Sequence, residues 1–257
     1  MVTDPTTPIP VKSLLGLSFA DIDAAAAASW LAECPADAPF DYVVTPNADH
    51  LVRLSRDPDL AAIYHQARLR LLDSRVVAGF ARLLAMDPPR VATGSDLTAR
   101  LLQALPPNEP ITIIGLAPDH VARLVARYGL GEPAHHNPPM GFDRDPAAFA
   151  AAVAFVLAHP ARFVFLAVGS PRQERLAAAI ARDGRGRGTG LCIGASLAFL
   201  AGAERRAPVF MQRAGLEWLF RLLRDPHRLL WRYVSDSPRV FGILWRAQRR
   251  LRRRRQA

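Results

Sequence analysis

Short apolar runs alternate with helix-periodic stretches along most of the chain. VKSLLGLSF (11–19), DYVVTPN (41–47), RLRLLD (68–73), PITIIGLA (110–117), RFVFLAVGS (162–170) and GTGLCIGAS (188–196) read as strands that end on polar residues or glycine. Helical spacing follows them. An alanine-rich pattern opens near Asp21, and others cover SRVVAGFARLLAM (74–86), PDHVARLVARYG (118–129) and PRQERLAAAIARD (171–183). Ser95-Asp96, Pro118-Asp119, Asp145-Pro146 and Ser170-Pro171 carry helix-start chemistry. Strand, turn, helix, repeated, predicts an α/β fold: a parallel sheet with helices on both faces.

The alternation stops near Gly202 to Pro208. In LEWLFRLLRDPHRLLWRYV (216–234) the arginines at 221, 224, 228 and 232 fall at helical spacing among Leu, Phe and Trp. Pro226 reads as a helix restart, and RAQRRLRRRRQA as a frayed basic tail. The predicted organisation is a domain over residues 1–201 and a C-terminal arginine-rich helical appendage over 202–257.

Charge sharpens that division. The net charge of +10 is concentrated at the end: fifteen arginines from Arg205 onward face three acidic residues, and Lys12 is the only lysine. A basic tail on a near-neutral body implies a polyanionic partner: nucleic acid, anionic lipid or a phosphorylated substrate. Interleaving with Leu, Phe and Trp favours an interfacial helix over a nucleic-acid arm. No apolar run reaches membrane-spanning length, so the appendage is expected to lie on a membrane. MVTDPTTPIPVK shows no signal-peptide pattern. Cys34 and Cys192 stand far apart, as in a reduced cytoplasmic protein.

Ligands of doubly wound sheets sit beyond the carboxyl ends of strands. That rule selects Thr45-Pro46-Asn47, Asp73, Gly115, the stretch VGSPRQE (168–174) and Gly194-Ala195-Ser196. Asp73 has two readings: cap of the helix starting at Ser74, or crevice carboxylate available as a general base. The VGSPRQE turn is either a capped loop or a phosphate-binding helix start, and it matches neither GxGxxG nor GxxxxGK[ST]. His135-His136 lacks a third ligand at metal-site spacing. The D-x-D triplets at Asp21, Asp57 and Asp143 sit at helix starts or beside proline, where capping explains them better than a divalent ion. No metal site and no cofactor are expected.

The order of these pieces resembles a known family. Thr45-Pro46-Asn47, Asp73, ATGSDL (92–97), PPMGF (138–142), VGSPRQE, GASLAFLAG (194–202), RRAP (205–208) and QRAGLEWLFRLLRDPHRLLWRYV (212–234) are similar to the WecG/TagA/CpsF glycosyltransferases. The resemblance runs from about Val11 to Tyr233. It implies a Rossmann-like UDP-sugar-binding domain with a C-terminal appendage that meets the inner face of the cytoplasmic membrane. It implies an inverting, metal-independent transfer of a hexose or N-acetylhexosamine to a polyprenyl-diphosphate-linked saccharide in capsule, exopolysaccharide or wall-polymer synthesis. It implies self-association and no nucleic-acid partner. Carried over residue by residue, it gives Asp73 as base, with Thr45 and Asn47 beside it. It assigns Arg90, Gly94, Asp96, Gly169, Gln173 and Glu174 to the nucleotide sugar. Arg206, Arg221, Arg224, Arg228 and Arg232 go to the lipid diphosphate. The sequence departs from the family at Ser74, where glycine is usual, and at Leu197-Ala198, where Phe-Asp is usual. Two other readings stay open: a catalytically silent scaffold of polysaccharide assembly, and a nucleic-acid-binding protein.

Overall fold

The computed structural model describes residues 8–203 and 237–256, with the isolated positions 207, 208, 211, 219, 220 and 223. Its centre is a six-stranded parallel sheet. Strands β3 (Asp41–Val44), β4 (Leu69–Arg70), β5 (Ile111–Ile114), β6 (Ala134–His136), β7 (Phe163–Leu166) and β8 (Thr189–Cys192) lie in the order β4-β3-β8-β7-β5-β6. Register is set across the middle, where Val44 and Leu166 both pair with Cys192, and Ile114 pairs with Leu166. Side chains along each strand alternate between the two faces. On β7, Val164 and Leu166 enter one apolar cluster while Phe163 and Phe165 enter the other. Both faces are buried, which is why these strands read as continuous apolar runs.

Helices cover the two faces. Helices α1 (Ala24–Ala32), α5 (Gly94–Ala104), α6 (Pro118–Tyr128) and α9 (Ser196–Leu200) supply the cluster that holds Val43, Ile113 and Phe165. The opposite cluster takes α2 (Ala48–Leu54), α3 (Pro58–Gln66), α4 (Arg75–Leu83), α7 (Pro146–Ala158) and α8 (Arg172–Asp183). The alternation read from the sequence is therefore present, with two differences. The run at 11–19 is not a strand of the main sheet. It folds into an antiparallel hairpin, β1 (Val11–Leu14) and β2 (Leu17–Ala20), turned at Leu15-Gly16, where both residues have positive φ. Conversely, Ala134–His136 forms the edge strand β6, although its polar, half-exposed residues carry no apolar signal.

The expectation of an arginine-rich membrane appendage is corrected here. The last helix, α10 (Ser237–Gln256), packs against α2 and α4 of the α/β body. Val240, Leu244 and Gln248, spaced four apart, form its buried stripe. The Phe241 ring meets Phe80 of α4 edge-on at 4.6 Å, and Gln248 Nε2 donates to the Leu84 carbonyl at 2.6 Å. The apolar face that a membrane would need is thus engaged by protein, leaving arginines with Trp245 and Leu251 outside. Among the described residues no helix is long and apolar enough to cross a membrane.

Docking of α10 has a measurable consequence. Leu244 is fully buried, so Leu244→Ala should lower unfolding free energy by about 2–5 kcal/mol. Chemical denaturation followed by circular dichroism reads this. A loss under about 0.5 kcal/mol, the size of a surface substitution, would show that the helix is not part of the core.

Candidate active site

Four chain segments converge at the carboxyl ends of β4, β3 and β8. Asp73 lies just beyond β4, and its N–H donates to the Pro46 carbonyl at 3.0 Å, locking it to the segment after β3. Its carboxylate does not cap the next helix. Ser74 does so: it adopts extended φ, and its Oγ accepts from Val77 N at 3.2 Å. Serine therefore fits this position, where the resemblance predicts glycine, without needing positive φ. Asp73 Oδ2 instead accepts the Gly94 N–H at 3.1 Å.

Gly94 is where the segments meet. A Cβ placed there would lie 3.0 Å from Thr45 Oγ1, 3.4 Å from Ser196 Oγ and 3.5 Å from Asp73 Oδ2. Close approach, not φ, favours glycine here, since a Cβ would make Thr45 Oγ1 give by a few tenths of an ångström. Each hydroxyl is anchored from below. Thr45 Oγ1 donates to the Cys192 carbonyl at 3.2 Å, and Ser196 Oγ donates to the Ile193 carbonyl at 2.6 Å. Thr93 caps α5 by accepting from Asp96 N at 3.1 Å. Asn47 caps α2, its side-chain oxygen accepting from His50 N at 3.2 Å. The structure thus brings Asp73, Thr45 and Gly94 together, with Asn47 two residues beyond Thr45 and Asp96 in the first turn of α5.

A second cluster lies beside the first, at the end of β7. Gly169 has φ +77°, and α8 begins after Pro171 with no side-chain cap. Gln173 and Glu174 point inward and are 2% and 1% exposed. Gln173 Oε1 accepts from Gly194 N at 2.9 Å, tying the end of β7 to the turn that carries Ser196. Glu174 Oε1 accepts from Gln173 Nε2 and from Tyr64 OH, each at 2.9 Å. Burial, with the Glu174 carboxylate second, pushes the Tyr64 phenol well above its usual range, against an opposing hydrogen bond from Ser170. Arg53 Nη1 of α2 donates to Ser170 Oγ at 3.0 Å. A chain of hydrogen bonds therefore runs from Tyr64 through Glu174 and Gln173 to Gly194, with the Arg53–Ser170 pair beside it. Burial likewise holds the Cys192 thiol well above its ordinary value, so it stays protonated at neutral pH.

Other candidates fall elsewhere. Arg90 is exposed, and its backbone N–H is held by Asp21 Oδ1 at 2.8 Å beside the β1–β2 hairpin. Arg206, Arg221, Arg224, Arg228 and Arg232 lie outside the described residues. Asp23, Asp57 and Asp145, one from each D-x-D triplet, cap α1, α3 and α7. His135 Nε2 lies 3.2 and 3.0 Å from the carbonyls of Gly115 and Leu116 and braces the turn after β5.

Sequence reasoning passed over Arg53, Tyr64 and Ser196 as functional residues. Arg53 stands in the last turn of α2, where a basic residue is explained by the helix dipole. Tyr64 sits on the apolar face of α3 and looks like core. Ser196 was within the Gly194-Ala195-Ser196 turn, but only the fold shows that it shares Gly94 with Asp73. The geometry combines a crevice carboxylate held by a backbone amide, two anchored hydroxyls and an uncapped helix start one strand away. Over residues 12–255 the sequence matches the model of the glycosyl transferase WecG/TagA/CpsF family, and the chain belongs to that family.

Proposed function

We propose that the protein transfers a hexosyl or N-acetylhexosaminyl unit from a UDP-sugar to a hydroxyl of a polyprenyl-diphosphate-linked saccharide, with inversion and without a metal. It would work at the inner face of the cytoplasmic membrane. The observation that carries this reading is the meeting of Asp73 Oδ2, Thr45 Oγ1, Ser196 Oγ and the Gly94 amide at the sheet's carboxyl edge, in a chain of glycosyltransferase lineage.

In the proposed step the acceptor oxygen attacks the anomeric carbon while its proton passes to Asp73. The bond to the UDP oxygen breaks, and UDP leaves with the electron pair. The Gly94 N–H orients the carboxylate, and a base held within hydrogen-bond reach contributes roughly 10²–10⁴ in rate. Thr45, Ser196 and the Asn47 amide stand where sugar hydroxyls would be bound.

The donor's nucleotide end has its own support. Asp23, Asn47, Asp57, Ser74, Thr93 and Asp145 cap α1 to α5 and α7, but α6, α8 and the short α9 start with no side-chain cap. Two of these, α6 and α8, follow β5 and β7. The chain leaves these two neighbouring strands in opposite directions, β5 toward β6 and β7 toward β8. A switch point of this kind opens a crevice for a ligand, and uncapped N–H groups favour phosphate. From β4 to β7 is three strand spacings, about 14 Å, a span that a nucleoside diphosphate sugar bridges. On this reading the arginines at 206, 221, 224, 228 and 232 serve the acceptor's diphosphate.

Two outcomes test the assignment, read as UDP released from a panel of UDP-sugars with a polyprenyl-diphosphate saccharide acceptor. Asp73→Asn should lower kcat by about 10²–10⁴ while the donor KM changes little. Unchanged turnover would remove Asp73 as the base, and a wild type silent toward every donor would favour the scaffold reading. Gly94→Ala should crowd Thr45 and cut kcat by about tenfold or more, with the thermal midpoint close to wild type. Full activity in that variant would show that the close approach at Gly94 does not set the geometry.

A further inference from the structure

Several arginines of the body pair with carboxylates or backbone carbonyls. Arg162 Nε donates to Glu109 at 2.8 Å, Arg185 to Asp183 at 2.7 Å, and Arg127 to the Leu200 carbonyl at 2.8 Å. Arg53 and Arg172 differ. Both are half-buried, and each meets a neutral side chain: Arg53 the Ser170 hydroxyl at 3.0 Å, Arg172 the Met140 thioether at 3.2 Å. Among the described residues neither forms an ion pair with a carboxylate. A guanidinium has five donors, and a thioether is a weak acceptor. Two partly desolvated cations with most of their donors unmatched are costly in isolation.

They also converge. Arg53 holds Ser170, and Arg172 Nη2 lies 3.4 Å from where a Gly169 Cβ would be. The two guanidinium groups therefore bracket one turn, Gly169-Ser170-Pro171, at the carboxyl end of β7. Gly169 leaves the turn's backbone open on the side that Arg172 covers. A ligand that balances both cations there needs at least two negative charges and several acceptor oxygens, the chemistry that arginine forks match.

We propose that Arg53 and Arg172 clamp the diphosphate of the donor at the Gly169–Pro171 turn and neutralise it as UDP departs. Arg53 comes from α2, which also carries the Asn47 cap, so the clamp links the nucleotide end of the crevice to the segment that holds Thr45. Phosphate charge developing on the leaving group is then met by fixed cations. The inference rests on the UDP-sugar reading above, and its test separates the two.

Calorimetric titration of the full-length protein with UDP, uridine and pyrophosphate decides it. Arg53→Gln and Arg172→Gln should each weaken UDP binding by about tenfold or more, leave uridine binding as in wild type and keep the wild-type circular dichroism. Arg53→Lys should recover part of the loss, since charge returns without the fork. UDP affinity within about twofold of wild type in both glutamine variants would overturn the clamp and leave the donor reading intact. An equal loss for uridine would reduce Arg53 to a packing role and also overturn it. Wild-type protein that bound pyrophosphate but not UDP would keep the clamp and sink the UDP-sugar reading, and failure to bind either would sink both.

Discussion

The hydrogen bond from the Gly94 amide to Asp73 Oδ2 joins the end of β4 to the start of α5, and its geometry depends on a missing side chain. With no Cβ at Gly94, Thr45 and Ser196 close in from β3 and β8, and three strand ends share one small volume. Everything behind them serves to keep those ends level. Parallel pairing of β3 with both β4 and β8 sets the height of Thr45, Asp73 and the Ser196 turn. The buried Gln173–Glu174–Tyr64 network then fixes the neighbouring loop to Gly194. Such a site is stiff because most of its polar atoms already hold a partner within the protein.

Much of this was legible in the sequence, and the illegible parts have physical causes. Buried parallel strands such as FVFL and ITII announce themselves because both faces need apolar side chains. The edge strand AHH does not, because its pairing comes from β5 and not from its own pattern. The 11–19 run looked like a sheet strand because periodicity cannot show that Leu15-Gly16 turns the chain back. Asp73 had two readings because local sequence places both it and Ser74 at a helix start. The choice between them is tertiary: Gly94, twenty-one residues later, claims the carboxylate. The family resemblance named Gln173 and Glu174, but only packing shows that they face inward.

The C-terminal arginines illustrate how charge misleads when read without packing. Interleaved with Leu, Phe and Trp they suggested an interfacial helix over 216–234, and the run from Arg246 suggested a frayed tail, yet residues up to Gln256 are helical. Val240, Leu244 and Gln248 stand at helical spacing within 237–256, and they decide where α10 goes. Apolar burial at about 25 cal/mol per Å² outweighs the solvated charges on the other side of the helix. Within the body, the more informative arginines are two half-buried ones that meet only neutral side chains, Arg53 and Arg172, and both stand at the Gly169 turn.

The seat of α10 also has a consequence in time. Its Phe241 and Gln248 rest on α4, the helix that begins directly after Asp73, and the same helix lies across α2, which begins after Thr45 and Asn47. The strand ends that carry Thr45 and Asp73 precede their buttress by more than 160 residues of chain. Domains gather their structure as they leave the ribosome. A nascent chain that has already formed β3, β4 and α4 must hold Phe80 and its neighbours uncovered until α10 has been made. The order of synthesis therefore makes the arrival of α10 the event that closes this side of the core.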